Sequence, residues 1–190
     1  MAWLIGLALV ALAVYAIVTY NRLVRARNVM AEAWAGIDVQ LQRRHELVPN
    51  LVAVTRQYAS HESTVLEDVT RARGAAPDTT GAKAPGQHGM ESLASRESDL
   101  SRALGRLVML AEQYPELKAA QVFSQLHASL VDTEDHLQYA RRYYNGAVRD
   151  LNNAVESFPA NLVARLFGFR TGAFFEIEFA SQREVPDVRL

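Results

Sequence analysis

FSQLHASLVDTEDHLQYARRYYNGAVRDLNNAVESF, residues 123–158, is the stretch whose reading decides the fold. Phe123, Leu126, Leu130, Thr133, Leu137, Ala140, Tyr144, Ala147, Leu151, Ala154 and Phe158 recur at alternating steps of three and four. That spacing places them on one face of an α-helix and makes a heptad seam. The same stretch carries Asn145, Gly146, Asn152 and Asn153, all poor helix formers. A helix selected only for helicity would use Ala, Glu or Lys there. Asn145, Arg149, Asn152 and Glu156 share a second face, away from the Tyr144–Ala147–Leu151 seam. This stripe reads either as a solvated polar face or as a contact surface for another subunit or partner.

Working outward toward the N-terminus, residues 2–20 read AWLIGLALVALAVYAIVTY, without a charge. As a helix they span ~28 Å, about the thickness of a hydrocarbon core, with Trp3 and Tyr20 at the two ends. The run lacks the basic n-region and small-residue cleavage site of a signal peptide, so it reads as a retained membrane anchor, residues 1–21. A buried core helix is the alternative reading. Arg22, Arg25 and Arg27 follow the run. The positive-inside rule then expects the N-terminus outside and the rest of the chain in the cytoplasm.

Helical apolar spacing continues through Leu23, Ala33, Trp34, Ile37, Leu41, Val48 and Leu51 to Val69. A single helix over 2–73, bent but not ended at Pro49, is expected, its part beyond Arg22 rising ~78 Å. Arg44 falls in the seam after Ile37, among Gln40, Gln42, Arg43, His45 and Glu46. It either pairs with a carboxylate across the bundle, with Asn50 or with the third helix, or snorkels as the seam drifts. Residues 74–89 are a Gly- and Pro-rich connector without a phosphate-loop pattern. Further helices are expected over 91–113 and 116–157, with a short one over 160–167 after Pro159. Leu162, Val163, Leu166, Phe167 and Phe169 are too apolar to lie free, and are expected to cap the membrane-distal end of three long helices; were Pro49 to split the first helix into two antiparallel arms, the order would reverse and they would sit by the membrane. In the tail, 171–190, Phe174, Phe175, Ile177 and Phe179 interleave with Glu176 and Glu178, the period of an edge strand or extended arm.

Composition narrows function. A net charge of −1 gives no global basic footprint for nucleic acid. The absence of cysteine excludes disulfides, thiolate metal sites and cysteine nucleophiles. His45, His61, His88, His127 and His136 fit no Glu-x-x-His or His-Glu-x-x-His pattern, so no metal site and no cofactor is expected. The clusters Glu67/Asp68 and Asp132/Glu134/Asp135 read as solvated helix faces, and no catalytic constellation emerges.

YNRLVRARNVMAEAWAGIDVQLQRRHELVPNLVAVTRQYASHE (20–62), LGRLVMLAEQYPELKA (104–119) and YNGAVRDLNNAVESFPANLVARLFGF (144–169) resemble the LemA family. The resemblance covers nearly the whole chain, including the anchor and the Pro-x-Val-x-Leu end. The connector here is richer in glycine, and the tail around Ile177 to Phe179 more apolar, than the family pattern. The resemblance implies a single-span protein of the bacterial inner membrane with an antiparallel helical bundle and no established enzymatic activity or cofactor. Magnetosome-associated relatives of the family imply a membrane-organising role, by analogy.

The expected architecture is all-α: an anchor, an up-and-down antiparallel bundle over 22–170 of three long helices plus a short fourth, and an extended tail. The expected function is a non-catalytic membrane scaffold that self-associates and organises membrane or recruits partners. The alternative is an adaptor to a membrane enzyme such as a protease. The expected partners are the lipid bilayer, further copies of the chain and a membrane protein. Small residues at Ala2, Gly6, Ala8, Ala11, Ala13 and Ala16 favour close approach of anchors. The candidate contact residues are Asn145, Arg149, Asn152, Glu156, Phe174, Phe175, Ile177 and Phe179.

Overall fold

The computed structural model describes residues 1–75 and 83–176. The middle of the connector and the tail from Ile177 onward, including Phe179 and the Pro186 end, lie outside the described residues. Among those described, the chain is all helical: α1 (Ala2–Tyr58), α2 (Ser63–Ala75), α3 (Gln87–Ala111), α4 (Pro115–Ala119), α5 (Gln121–Glu156) and α6 (Ala160–Leu166).

The first helix departs from its expected course. Pro49 sits inside α1 without ending it. Proline has no N–H to donate to the carbonyl four residues back, which is that of His45. Arg73 Nε of α2 donates to that carbonyl instead, at 3.0 Å. The break comes later, at residues 59–62, where neither Gly nor Pro marks it. Ala59 is fully buried at the corner, and its N–H donates to Thr55 O. The chain turns there because α2 covers the apolar strip that α1 and α3 leave open. Leu66 and Val69 are buried with Val48, Leu51, Val52, Leu100, Leu104 and Leu107. The continuous rod over 2–73 is therefore replaced by a hairpin, and α1 rises only ~55 Å beyond Arg22.

This hairpin resets the topology. α1 runs away from the apolar N-terminal segment, α2 returns part of the way, α3 runs away again and α5 returns along the length of α1. The bundle is up-down-up-down, and the heptad seam of α5 is its inner face. Phe123, Leu130, Thr133, Leu137, Tyr144, Ala147 and Leu151 are buried, whereas Phe158 falls beyond the helix and is exposed. With four passes instead of three, α6 arrives at the end where α1 leaves the apolar segment. Val163 and Ala164 pack with Leu23, Ala16 and Phe169. The distal-cap expectation for residues 160–169 is thus corrected; the extra pass of α2 reverses it.

The centre of the bundle holds a buried ionic cluster. Arg44 is 1% exposed and is the largest of the fully buried side chains among the described residues. Its Nη1 lies 2.9 Å from Oε2 of Glu97 on α3, and its Nε 2.8 Å from Oε1 of Glu134 on α5. Nη2 donates to Ser101 Oγ at 2.6 Å, and that hydroxyl donates to Glu97 O. His45 Nε2 lies 3.0 Å from the other Glu97 oxygen. Of the two readings of Arg44, pairing across the bundle is the one the structure adopts.

A buried charge deprived of its partner is costly. Arg44→Met leaves Glu97 and Glu134 without their counter-ion and should destabilise the bundle by ~3–5 kcal/mol in chemical unfolding of the detergent-solubilised chain. A loss under ~1 kcal/mol would be that of an exposed pair and would contradict the burial. Burial also pushes the Glu134 carboxyl above its usual 4.5, against the pull of Arg44. The folded chain therefore holds that proton more tightly than the unfolded chain. Its contribution to stability is full below pH 4.5 and is lost as pH rises through the folded-state value. Glu134→Gln lacks this term, so its stability relative to wild type should rise as the pH of the unfolding titration is raised above that point.

Candidate functional site

Two places in the fold carry polar or apolar groups that the bundle itself does not require: the strip of α5 that receives the C-terminal segment, and the end where α6 meets α1.

The strip on α5 is built from helical spacing. Asn145 and Asn152 are seven residues apart, so two turns and ~10 Å separate them on one face. Each side-chain amide pairs with the backbone N–H and C=O of one residue in the segment after α6. Asn145 Nδ2 donates to Phe175 O at 3.1 Å, and the Phe175 N–H donates to Asn145 Oδ1 at 2.9 Å. Asn152 Nδ2 donates to Gly172 O at 3.1 Å, and the Gly172 N–H donates to Asn152 Oδ1 at 2.7 Å. Three residues of extended chain also span ~10 Å, so Gly172 and Phe175 match the two-turn spacing. The segment runs antiparallel to α5, back toward the middle of the bundle.

Aromatic packing completes this clamp. Phe175 is fully buried, with its ring centroid 6.2 Å from that of Trp34, which lies 5.6 Å from Tyr144. The Tyr144 hydroxyl donates to Ala173 O at 2.9 Å, and burial pushes its pKa to about 12, so it stays a donor at any physiological pH. The Arg141 guanidinium lies over the Phe175 ring at 5.4 Å. Gly172 passes so close to Met30 that a Cβ there would sit 2.6 Å from its sulfur.

The asparagines therefore have a partner, and it is this chain's own backbone. That corrects the reading of Asn145 and Asn152 as an outward contact surface: a primary amide is the side chain that can satisfy a backbone N–H and C=O together. Arg149 and Glu156, the other members of the stripe, are exposed. Phe174 points outward at 40% exposure while Phe175 points in. Residues 171–176 form neither helix nor strand. Trp34, Tyr144 and Gly172 belong to the clamp and were not singled out for it by their sequence. The legible signal was the pair of poor helix formers at i and i+7 beside an aromatic seam position.

At the other end, Met1 to Tyr15 are exposed throughout, and nothing among the described residues covers them. This stretch is not a core helix of the fold; the helix it opens, α1, is long and apolar enough near its N-terminus to cross a membrane. A groove of about 620 Å³ lies where it enters the bundle, between α1 and α5, and Tyr15, Thr19, Arg22, Arg25, Asn153 and Ser157 contribute to its walls. Beside it, Tyr20 packs edge-on against Phe167 (4.9 Å) and Phe169 (5.7 Å), and Arg27 lies over Phe169 at 5.5 Å.

An all-α bundle hung on one long helix with an uncovered apolar end, its last helix returned to that end, defines a class of membrane-associated helical protein. The LemA family matches residues 33–190, and the chain belongs to that family. The magnetosome protein MamQ of Magnetospirillum gryphiswaldense is 26% identical over 187 residues, 89% of this chain and 69% of the relative. MamQ 2 of Paramagnetospirillum magneticum is 26% identical over 188 residues, covering 90% and 69%. Protein LemA of Metamycoplasma hominis is 26% identical over 168 residues, covering 88% and 72%.

Replacing Asn145 and Asn152 together by Ala should release the segment without weakening α5, since Ala is the better helix former. Each site loses hydrogen bonds worth ~1 kcal/mol net or more, so amide exchange at Gly172 and Phe175 should accelerate roughly tenfold or more. Helicity by circular dichroism should not fall. Unchanged exchange at both amides would show that the aromatic contacts alone hold the segment.

Proposed function

We propose that the chain is a single-span membrane protein, and that its bundle is a non-catalytic scaffold that self-associates to organise membrane or gather partners. The observation that carries this reading is the continuity of α1: one helix, unbroken at Tyr20–Leu23, runs from the uncovered apolar segment into the buried core. Leaving residues 2–18 in water would expose eleven large apolar side chains, and a bilayer is the medium that removes that cost. Because there is no loop at the junction, the bilayer fixes the depth and tilt of the bundle directly. Copies in one membrane then present the same faces at the same height, and weak lateral contacts reinforce one another. Kinship with proteins named for the magnetosome supports a membrane-associated, non-enzymatic role.

The ionisable groups support the same reading. Arg44, Glu97, Glu134 and Ser101 are committed to one another across three helices, as structural ion clusters are. Arg22, Arg25 and Arg27 follow the span and favour a cytoplasmic bundle.

Mass measurement in native-lipid nanodiscs at increasing loading tests the assembly: a homo-oligomer is expected, and a monomer at every loading would end the scaffold reading. The orientation has its own check. A cysteine at the exposed Tyr139, in a chain with no other, should resist a membrane-impermeant thiol reagent in intact cells and react after lysis. Reaction in intact cells would place the bundle on the outer side.

A further inference from the structure

α6 buries one side and leaves another bare. Val163 and Ala164 face α1 and the end of α5. Leu162 (58% exposed), Leu166 (79%) and Phe167 (54%), with Phe158 (79%) just before the helix, are uncovered and contiguous in sequence with it. Four large apolar side chains on and immediately flanking one short helix are more than a solvated surface carries without purpose.

Their position says what covers them. The buried side of α6 shares its cluster with Ala16 and Leu23, and Tyr20 lies between, in ring contact with Phe167 and Phe169. Tyr20 is the interfacial aromatic at the end of the apolar segment, where amphipathic rings sit at headgroup level. α6 is therefore held at the depth of the last turn of the span and the first turn beyond it, about one helical pitch to either side. The charges agree with that depth. No Asp or Glu occurs from Ser157 to Phe175, whereas Arg165 and Arg170 do; on α1, Arg22, Arg25 and Arg27 precede the first acid, Glu32. Five arginines against two nearby carboxylates, Asp150 in the groove with Arg22 and Arg25 and Glu156 just before Phe158, give this end a net positive charge that suits the boundary between acyl chains and anionic headgroups.

We propose that α6 is an interfacial membrane element: Phe158, Leu162, Leu166 and Phe167 enter the headgroup–acyl boundary of the leaflet in which α1 emerges, while Arg165 and Arg170 meet its phosphates. The occupant of the apolar face is lipid, not a second copy of the chain. This rests on the reading that residues 2–20 span the bilayer, and it adds a second contact beside the span. Two contacts fix the rotation of α1 about its own axis as well as its depth. α6 leads directly into the segment clamped by Asn145 and Asn152, so the bilayer surface and the C-terminal segment are joined by a few residues.

Site-directed spin labelling of the full chain tests this, in vesicles of phosphatidylcholine with one-third phosphatidylglycerol. Single cysteines at Leu9, Leu162, Leu166 and Tyr139 carry the label, and collision with oxygen is compared with collision with a water-soluble nickel chelate. Leu9 should report the acyl interior, Leu162 and Leu166 the interface with oxygen favoured over nickel, and Tyr139 bulk water. Labels at 162 and 166 as nickel-accessible as Tyr139, with Leu9 still in the acyl region, overturn the proposal and leave the span intact. Leu9 in water overturns the span itself, and the proposal with it. Labels at 162 and 166 shielded from both reagents, with dipolar broadening that vanishes on dilution by unlabelled chain, show a copy–copy interface and overturn the lipid assignment. As a second arm, Leu162→Ser with Leu166→Ser should at least double nickel access at a label on Arg165, with unchanged helicity. No change there overturns insertion by these two side chains.

Discussion

A guanidinium sealed inside a helical bundle must meet carboxylates at its own height, and that requirement sets the register of the molecule. Arg44 on α1 meets Glu97 on α3 and Glu134 on α5. Ten residues back along α1 is Trp34, and ten residues on along α5 is Tyr144; their rings touch. About ten further on in each direction, Leu23 and Ala154 share a cluster. One antiparallel register runs the length of the pair, and the ionic cluster lies within it. Apolar seams tolerate slippage by a heptad because leucine resembles leucine. A buried ion pair does not, since a slip strands a charge in a low-dielectric interior.

That register has consequences at both ends. At the end nearer Tyr58, it allows α2 to fold back and fill the groove above Val48 and Leu51, with Arg73 serving the carbonyl that Pro49 leaves unpaired. At the Tyr20 end, it brings the close of α5, and with it α6, against the helix that emerges from the apolar segment. The C-terminal segment is then directed back along α5, where two amides at a two-turn spacing take its backbone. Segment, bundle and the Tyr20 end are consequently one mechanical unit. A change in the seating of α6 has a short path to Gly172, and from there through Phe175 to Trp34 and Tyr144 in the core.

In this member of the LemA family, the arrangement makes the bundle a continuous extension of the apolar N-terminal helix. α1 contributes the uncovered apolar segment, the junction and part of the core in a single helix, so the orientation of the bundle follows from that of the apolar segment. The polar chemistry of the interior is directed inward: Arg44 pairs with both Glu97 and Glu134, Ser101 closes the set, and the Tyr144 hydroxyl donates to an internal carbonyl.

What the sequence by itself determined is whatever repeats locally. The heptad seam of α5, the apolar segment 2–20, the helical class, the short helix after Pro159 and the family are each written in neighbouring residues, because helix periodicity and helix chemistry act over three to seven positions. Tertiary structure decided the rest. The corner at Ala59 has no Gly or Pro; it exists because α2 gains more by covering Leu51 and Leu104 than by extending α1 into solvent. That one corner adds a pass to the bundle, which moved α6 from the expected far end to the end where α1 leaves the apolar segment. Asn145 and Asn152 were visible as anomalies in a helix, but their partners, Gly172 and Phe175, lie twenty to thirty residues away and are reached only once α6 has turned the chain. Pairings of that kind depend on the register of helices distant in sequence, and a local pattern cannot encode which of two amides, or which end of a bundle, a later segment will meet.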